Sequence, residues 1–218
     1  MREIFACIPI IFGSVLMLLY YQSHIPAADR RWVWAGYWAH IVSAFVLILL
    51  TLPVLGGGDM QIYYRFGESL AHYIRNDPGR WGPEVVKLIL QFEAEIPIAL
   101  YGSEGTTTTS MIGMTSIFLV ATNYSIYGVG LLFSLIAFSG QLGMYAAFRH
   151  HLPPAYRARV LIGTLLVPSA VFWTSGVVKE AVALGGMGWM IYGLHLLICE
   201  KRRWRAFFFL VVGGVLVA

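Results

Sequence analysis

Over 218 residues the chain is 58% hydrophobic and only 12% charged, with a mean hydropathy of +0.71, which excludes an ordinary soluble domain. Its net charge of +4 is dispersed over connecting segments, not gathered into a basic stripe with interleaved aromatics, so nucleic acid is excluded as a partner. Two cysteines give neither a metal cluster nor a disulfide framework; both fall in apolar runs, where Cys7 and Cys199 are expected to act as small buried hydrophobes.

Taken in chain order, apolar runs of the length a bilayer requires, about 17–25 residues, occur at residues 4–21, 32–55, 127–148, 160–178 and 181–199. The composition predicts an all-α, polytopic helical membrane protein. Arg2 is offset by Glu3 and a second span follows closely, so the first run reads as an uncleaved span and not a signal peptide. Residues 107–122 form a shorter run that spans or dips. A last apolar run begins at Ala206 and reaches Ala218 without a polar exit, the pattern of an N-terminal fragment.

Three regions follow: 1–55 with two transmembrane helices, 56–106 as an extramembrane loop with two amphipathic helices, and 107–218 as a transmembrane bundle. In the loop, Ile62, Tyr63, Phe66, Leu70, Tyr73 and Ile74 recur at three- and four-residue steps, the stripe of a helix lying on a membrane interface. Asp77-Pro78-Gly79 breaks that helix. Pro83-Glu84 is predicted to start a second one, with Val85, Leu88, Ile89, Phe92 and Ile96 on its apolar side and Pro97 at its close.

Basic residues give two topologies. If residues 107–122 cross, 12 bases share the loop's side against three opposite, and the loop is cytoplasmic. If they dip in and return, Arg30, Arg31, Arg149 to Arg159 and Lys201 to Arg205 are cytoplasmic, and the loop faces outward.

The residue that most invites chemistry is Asp59, placed behind Gly56-Gly57-Gly58 where a span leaves the bilayer. Capping the following helix is the plain alternative role. Asp59, Tyr63, Tyr64, Arg65 and Asn76-Asp77 together resemble the first-loop motif of GT-C type membrane glycosyltransferases, which take sugar from a polyprenyl-phosphate carrier. In many of those enzymes the acid is a pair, whereas here Met60 follows Asp59. The string from Pro168 to Glu180, with Phe172-Trp173, Ser175-Gly176 and Lys179-Glu180, resembles one in EpsG-like polysaccharide-assembly membrane proteins.

The resemblance implies a hexosyltransferase of a bacterial inner membrane. Asp59 would be the general base, while Tyr63, Tyr64, Arg65, His72, Trp173, Lys179 and Glu180 would bind substrate. The implied partners are a polyprenyl-phosphate-linked sugar, a glycan, lipid or protein acceptor, and the lipid bilayer. No cofactor is specified, though Glu93, Glu95 and Glu104 beside Asp59 would suit a divalent cation; no metal ligands are assigned. Arg65, Arg75, Arg80 and Lys87 would collect a phosphate headgroup or anionic lipid.

Intramembrane His40, Gln141 and His195 read as three unlinked interhelical hydrogen-bonding groups without the spacing of a metal site. The alternative function is a non-catalytic membrane subunit or transporter of a polysaccharide or lipid pathway.

Overall fold

The computed structural model describes residues 2–54, 56–96, 106–149 and 151–217. Among them the chain forms only helices: α1 (Arg2–Tyr21), α2 (Ala27–Thr51), α3 (Gly58–Asn76), α4 (Pro78–Ile89), α5 (Thr107–Ala121), α6 (Ile126–Phe148), α7 (Pro154–Leu165), α8 (Pro168–Trp173), α9 (Lys179–Ile198) and α10 (Arg203–Val217), with one short 3-10 turn at Gln22–His24. Five stretches are long and apolar enough to cross a membrane: α1 with the 3-10 turn, α2, α6, α7 with α8, and α9.

Named contacts fix the direction of each helix. The hydroxyl of Ser125, which caps α6, donates to Glu3 in the first turn of α1. Tyr145 in the last turn of α6 donates to Asp29 in the first turn of α2, and Ile48 near the end of α2 packs against Gly130 near the start of α6. Thus α1 and α6 run one way and α2 the other. On α9, Gly185 meets Ile136 and Gly140, and Gly188 meets Gly140, so α9 runs parallel to α6. Between them α7 and α8 make the return journey, and α10 folds back along α9 through Gly186 against Gly213 and Gly193 against Ala206.

The return span is broken where the sequence places Pro168. Val167 is extended and α8 starts with the proline, because the residue before a proline avoids helical backbone. Gly176, at φ +94°, then lets the chain reverse before Lys179 opens α9.

The short apolar run is α5, and it is shorter than the five stretches long enough to cross. Its first turn receives Lys179 from the start of α9, while the turn after it bonds to α3 and leads into the start of α6. Both ends therefore lie at the same end of the bundle. At about 1.5 Å per residue, 15 helical residues reach about 22 Å, short of a hydrocarbon core of about 30 Å. This geometry favours the arrangement in which residues 107–122 dip in and return over the all-crossing one that the count of bases favoured.

The loop helices share a core with the bundle. Met60, Tyr63, Leu70 and Ala71 of α3, with Val85 and Leu88 of α4, are buried against Leu47, Ile48, Met111, Leu119 and Phe133. Gly67 abuts Thr115, so most of the stripe expected to rest on lipid packs on α5. The second loop helix also starts earlier than Pro83. Asp77 accepts from the Arg80 backbone N–H at 3.1 Å and caps α4, Pro78 occupies its first position, and Pro83 lies inside. It ends at Ile89, with Gln91 at φ +59°, leaving Phe92 exposed beyond it. Pro97 and Glu104 lie outside the described residues.

At the opposite end, Asp29 is 5% exposed and receives the Tyr145 hydroxyl. Tyr145→Phe is expected to lower stability by about 1–3 kcal/mol, since it leaves a buried carboxylate short of a donor. Unfolding in detergent would check this; an unchanged midpoint would mean that other groups already satisfy Asp29.

Candidate functional site

Three glycines in left-handed backbone, Gly56 at φ +71°, Gly57 at +82° and Gly58 at +50°, take the chain from α2 into α3. The Gly57 N–H closes this turn on the Thr51 carbonyl at 2.8 Å. Gly57 is the N-cap of α3, and no side chain caps it. Asp59 therefore is not the cap: it stands in the first turn, exposed, and accepts from the Tyr63 hydroxyl at 3.3 Å through Oδ2. Residues four apart lie over one another on a helix, which is what brings this pair together.

Tyr63 is buried and its ring supports a second functional candidate. Lys179 Nζ lies 5.8 Å from the ring centroid and donates to Thr107 Oγ1 at 3.2 Å and Thr108 Oγ1 at 3.1 Å. Asp59, Tyr63 and Lys179 are thus brought to one place, where the starts of α3, α5 and α9 converge. Glu180, next to Lys179 and exposed, lies in the same first turn of α9. Asp59 forms no ion pair among the described residues; Tyr63 intervenes between the carboxylate and the ammonium.

The other nominated residues fall elsewhere. Arg65 is exposed on the side of α3 away from the buried face. Trp173 is 58% exposed at the end of α8 and meets Phe172 edge to face. Tyr64 and His72 join a second group further along α3. There the Tyr64 hydroxyl donates to the Tyr124 carbonyl at 3.3 Å, His72 stacks on the Tyr124 ring at 4.5 Å, and Arg75 donates to Asn123 at 3.3 Å.

The cations expected to gather a headgroup are dispersed. Arg75 is held at that second group, Arg80 lies over Trp81, and Lys87 pairs with Glu84 at 2.6 Å. That ammonium, together with the Glu95 backbone N–H, holds the Glu84 carboxyl below its ordinary range.

A groove of about 640 Å³ lies between Phe5, Pro9 and Ile10 of α1 and Ala121, Thr122 and Asn123 at the end of α5. Its Asn123 is the partner of Arg75. Asp59 and Arg75 are separated by 16 helical positions, about 24 Å, so the groove and the acid occupy different places.

Two sequence expectations are corrected here. His40 and Gln141 are linked: His40 Nε2 meets Gln141 Oε1 at 2.8 Å, with Ser134 and Ser175 hydroxyls each 3.4 Å from Nδ1. All four are buried on α2, α6 and the turn after α8, an interhelical network that satisfies polar groups inside the bundle. His195 also has close company. His151 Nε2 is 3.3 Å from His195 Nδ1 and 3.7 Å from Cys199 Sγ, and Cys199 is exposed, not buried. The four-residue step from His195 to Cys199 is legible in a helix; the arrival of His151 from the α6–α7 corner is not.

By fold the chain is a polytopic helical membrane protein. Comparisons with protein families, with curated proteins and with solved structures found no match.

Proposed function

We propose that the protein is a membrane glycosyltransferase of GT-C type that moves a hexose from a polyprenyl-phosphate carrier to a glycan, lipid or protein acceptor during cell-surface polysaccharide assembly in a bacterial inner membrane. The observation that carries this reading is the convergence of Asp59, Tyr63 and Lys179. It joins the two parts of the sequence that resemble such enzymes, 120 positions apart, at one end of the bundle.

In this reaction Asp59 takes the proton from an acceptor hydroxyl as its oxygen bonds to the anomeric carbon. The bond from that carbon to the phosphate oxygen breaks, and the phosphate leaves with the electron pair. An ammonium has three N–H groups. Lys179 directs two at Thr107 and Thr108, which leaves one for the departing phosphate. Tyr63 holds one oxygen of the Asp59 carboxylate and leaves the other to the acceptor.

Charge supports an outward-facing site. The far end of the bundle carries Arg30, Arg31, Arg149, Arg157, Arg159 and the cluster from Lys201 to Arg205, against the acids Asp29 and Glu200. By the positive-inside rule that end is cytoplasmic, and Asp59 faces away from the cytoplasm.

A rival reading is a non-catalytic subunit in which Asp59, Tyr63 and Lys179 clasp α3, α5 and α9 together. It is favoured by the scatter of Arg65, Trp173 and His72 away from the acid. Transfer of labelled hexose from a polyprenyl-phosphate donor by the protein in lipid nanodiscs tests the two: transfer that needs the Asp59 carboxylate supports catalysis, and transfer indifferent to it supports the clasp.

A further inference from the structure

At the base-rich end, three side chains with metal-binding atoms come together from distant positions. His195 and Cys199 stand one helical turn apart at the close of α9, and His151 is delivered by the corner between α6 and α7. Their ligand atoms all lie within 4.8 Å of one another. We propose that His151 Nε2, His195 Nδ1 and Cys199 Sγ form a binding site for a borderline-soft divalent metal of the zinc class.

Two of the three ligand–ligand edges agree with a tetrahedral ion, and the third lies within 4.8 Å. Bonds of about 2.05 Å to nitrogen and about 2.3 Å to sulfur set the N···N edge near ~3.3 Å and the N···S edge near ~3.6 Å. The corresponding separations are 3.3 Å between His151 and His195 and 3.7 Å between His151 and Cys199. Two imidazoles and one thiolate select zinc-like ions over magnesium or calcium, which prefer oxygen.

The far nitrogen of His195 faces a carboxylate. His195 Nε2 lies 3.7 Å from Glu200 Oε1, which is itself held by Arg202 at 3.1 Å. That gap is longer than a hydrogen bond; closing it on metal binding would keep the proton on that side and turn the other nitrogen's lone pair to the metal. Cys199 and His151 are exposed, so an ion can enter from solvent, and three protein ligands leave the fourth position to water. Binding would fasten the α6–α7 corner onto the end of α9.

Cobalt(II) added to the metal-free full chain in detergent is the test. One equivalent should bind with the visible bands of a four-coordinate ion and a near-ultraviolet thiolate charge-transfer band, and zinc(II) should displace it. Cys199→Ser, at an exposed position, should abolish the charge-transfer band. Glu200→Gln should weaken binding by less than Cys199→Ser does. Wild-type protein that binds no cobalt would overturn the proposal, as would binding unchanged in both Cys199→Ser and His151→Ala.

Discussion

Under the proposed glycosyltransferase reading, replacing Asp59 with asparagine is expected to lower glycosyl transfer by about 100- to 10,000-fold while leaving the fold intact. Asparagine keeps an oxygen that can accept from the Tyr63 hydroxyl, and the side chain is exposed, so stability should stay within about 1 kcal/mol of the parent. What asparagine lacks is the capacity to take a proton from the acceptor. Because Gly57, not Asp59, caps α3, the substitution removes no cap and gives up only the favourable charge of an acid in the first turn, about 0.3–1 kcal/mol. Transfer rates measured beside unfolding curves separate the readings: lost transfer with an unchanged midpoint supports the general base, whereas full transfer would leave Asp59 with the clasp.

Substituting Gly188 is expected to have the largest effect on stability. A Cβ there would stand 2.0 Å from the carbonyl oxygen of Gly140 and 2.3 Å from its carbonyl carbon; at Gly140 it would stand 2.4 Å from the oxygen of Gly185. These are backbone atoms, so no side-chain rotation relieves the clash. Helices α6 and α9 must separate. Inside a membrane close packing is itself a main source of helix association, because lipid is as apolar as leucine. Gly188→Leu should therefore cost about 3 kcal/mol or more, and even Gly188→Ala should be clearly destabilising. Gly163 on α7, where nothing lies within 4 Å of an added Cβ, is the control: Gly163→Ala should leave stability unchanged or raise it by up to about 1 kcal/mol. Monodispersity in detergent and the unfolding midpoint report both, and a neutral Gly188→Ala would contradict this packing.

The long spans were legible because twenty apolar residues have few other uses, and the break at Pro168 was legible because proline restricts the residue before it. The amphipathic stripe of α3 was visible too, but periodicity states only that one face is apolar, not whether lipid or α5 covers it. The course of α5 was not legible. Its composition suits either a crossing or an inserted helix, and the count of bases on distant segments favoured a crossing, whereas contacts at its two ends bring both to one end of the bundle. Asp59 and Lys179 were each marked by position at a helix end. Their meeting depends on α9 starting beside α3, a property of the whole bundle. His151 had no local mark at all, since only the α6–α7 corner brings it to His195.

The measurement to make is the sidedness of Asp59 and the start of α9. Single cysteines at Asp59 and at exposed Glu180, introduced with Cys7→Ser and Cys199→Ser, would be treated in intact cells with a membrane-impermeant thiol reagent, beside a third at Arg202. Both Asp59→Cys and Glu180→Cys should label from outside, and Arg202→Cys only after permeabilisation. Labelling of Asp59→Cys and Glu180→Cys from opposite sides, or of Arg202→Cys alone in intact cells, would contradict a shared, outward-facing site.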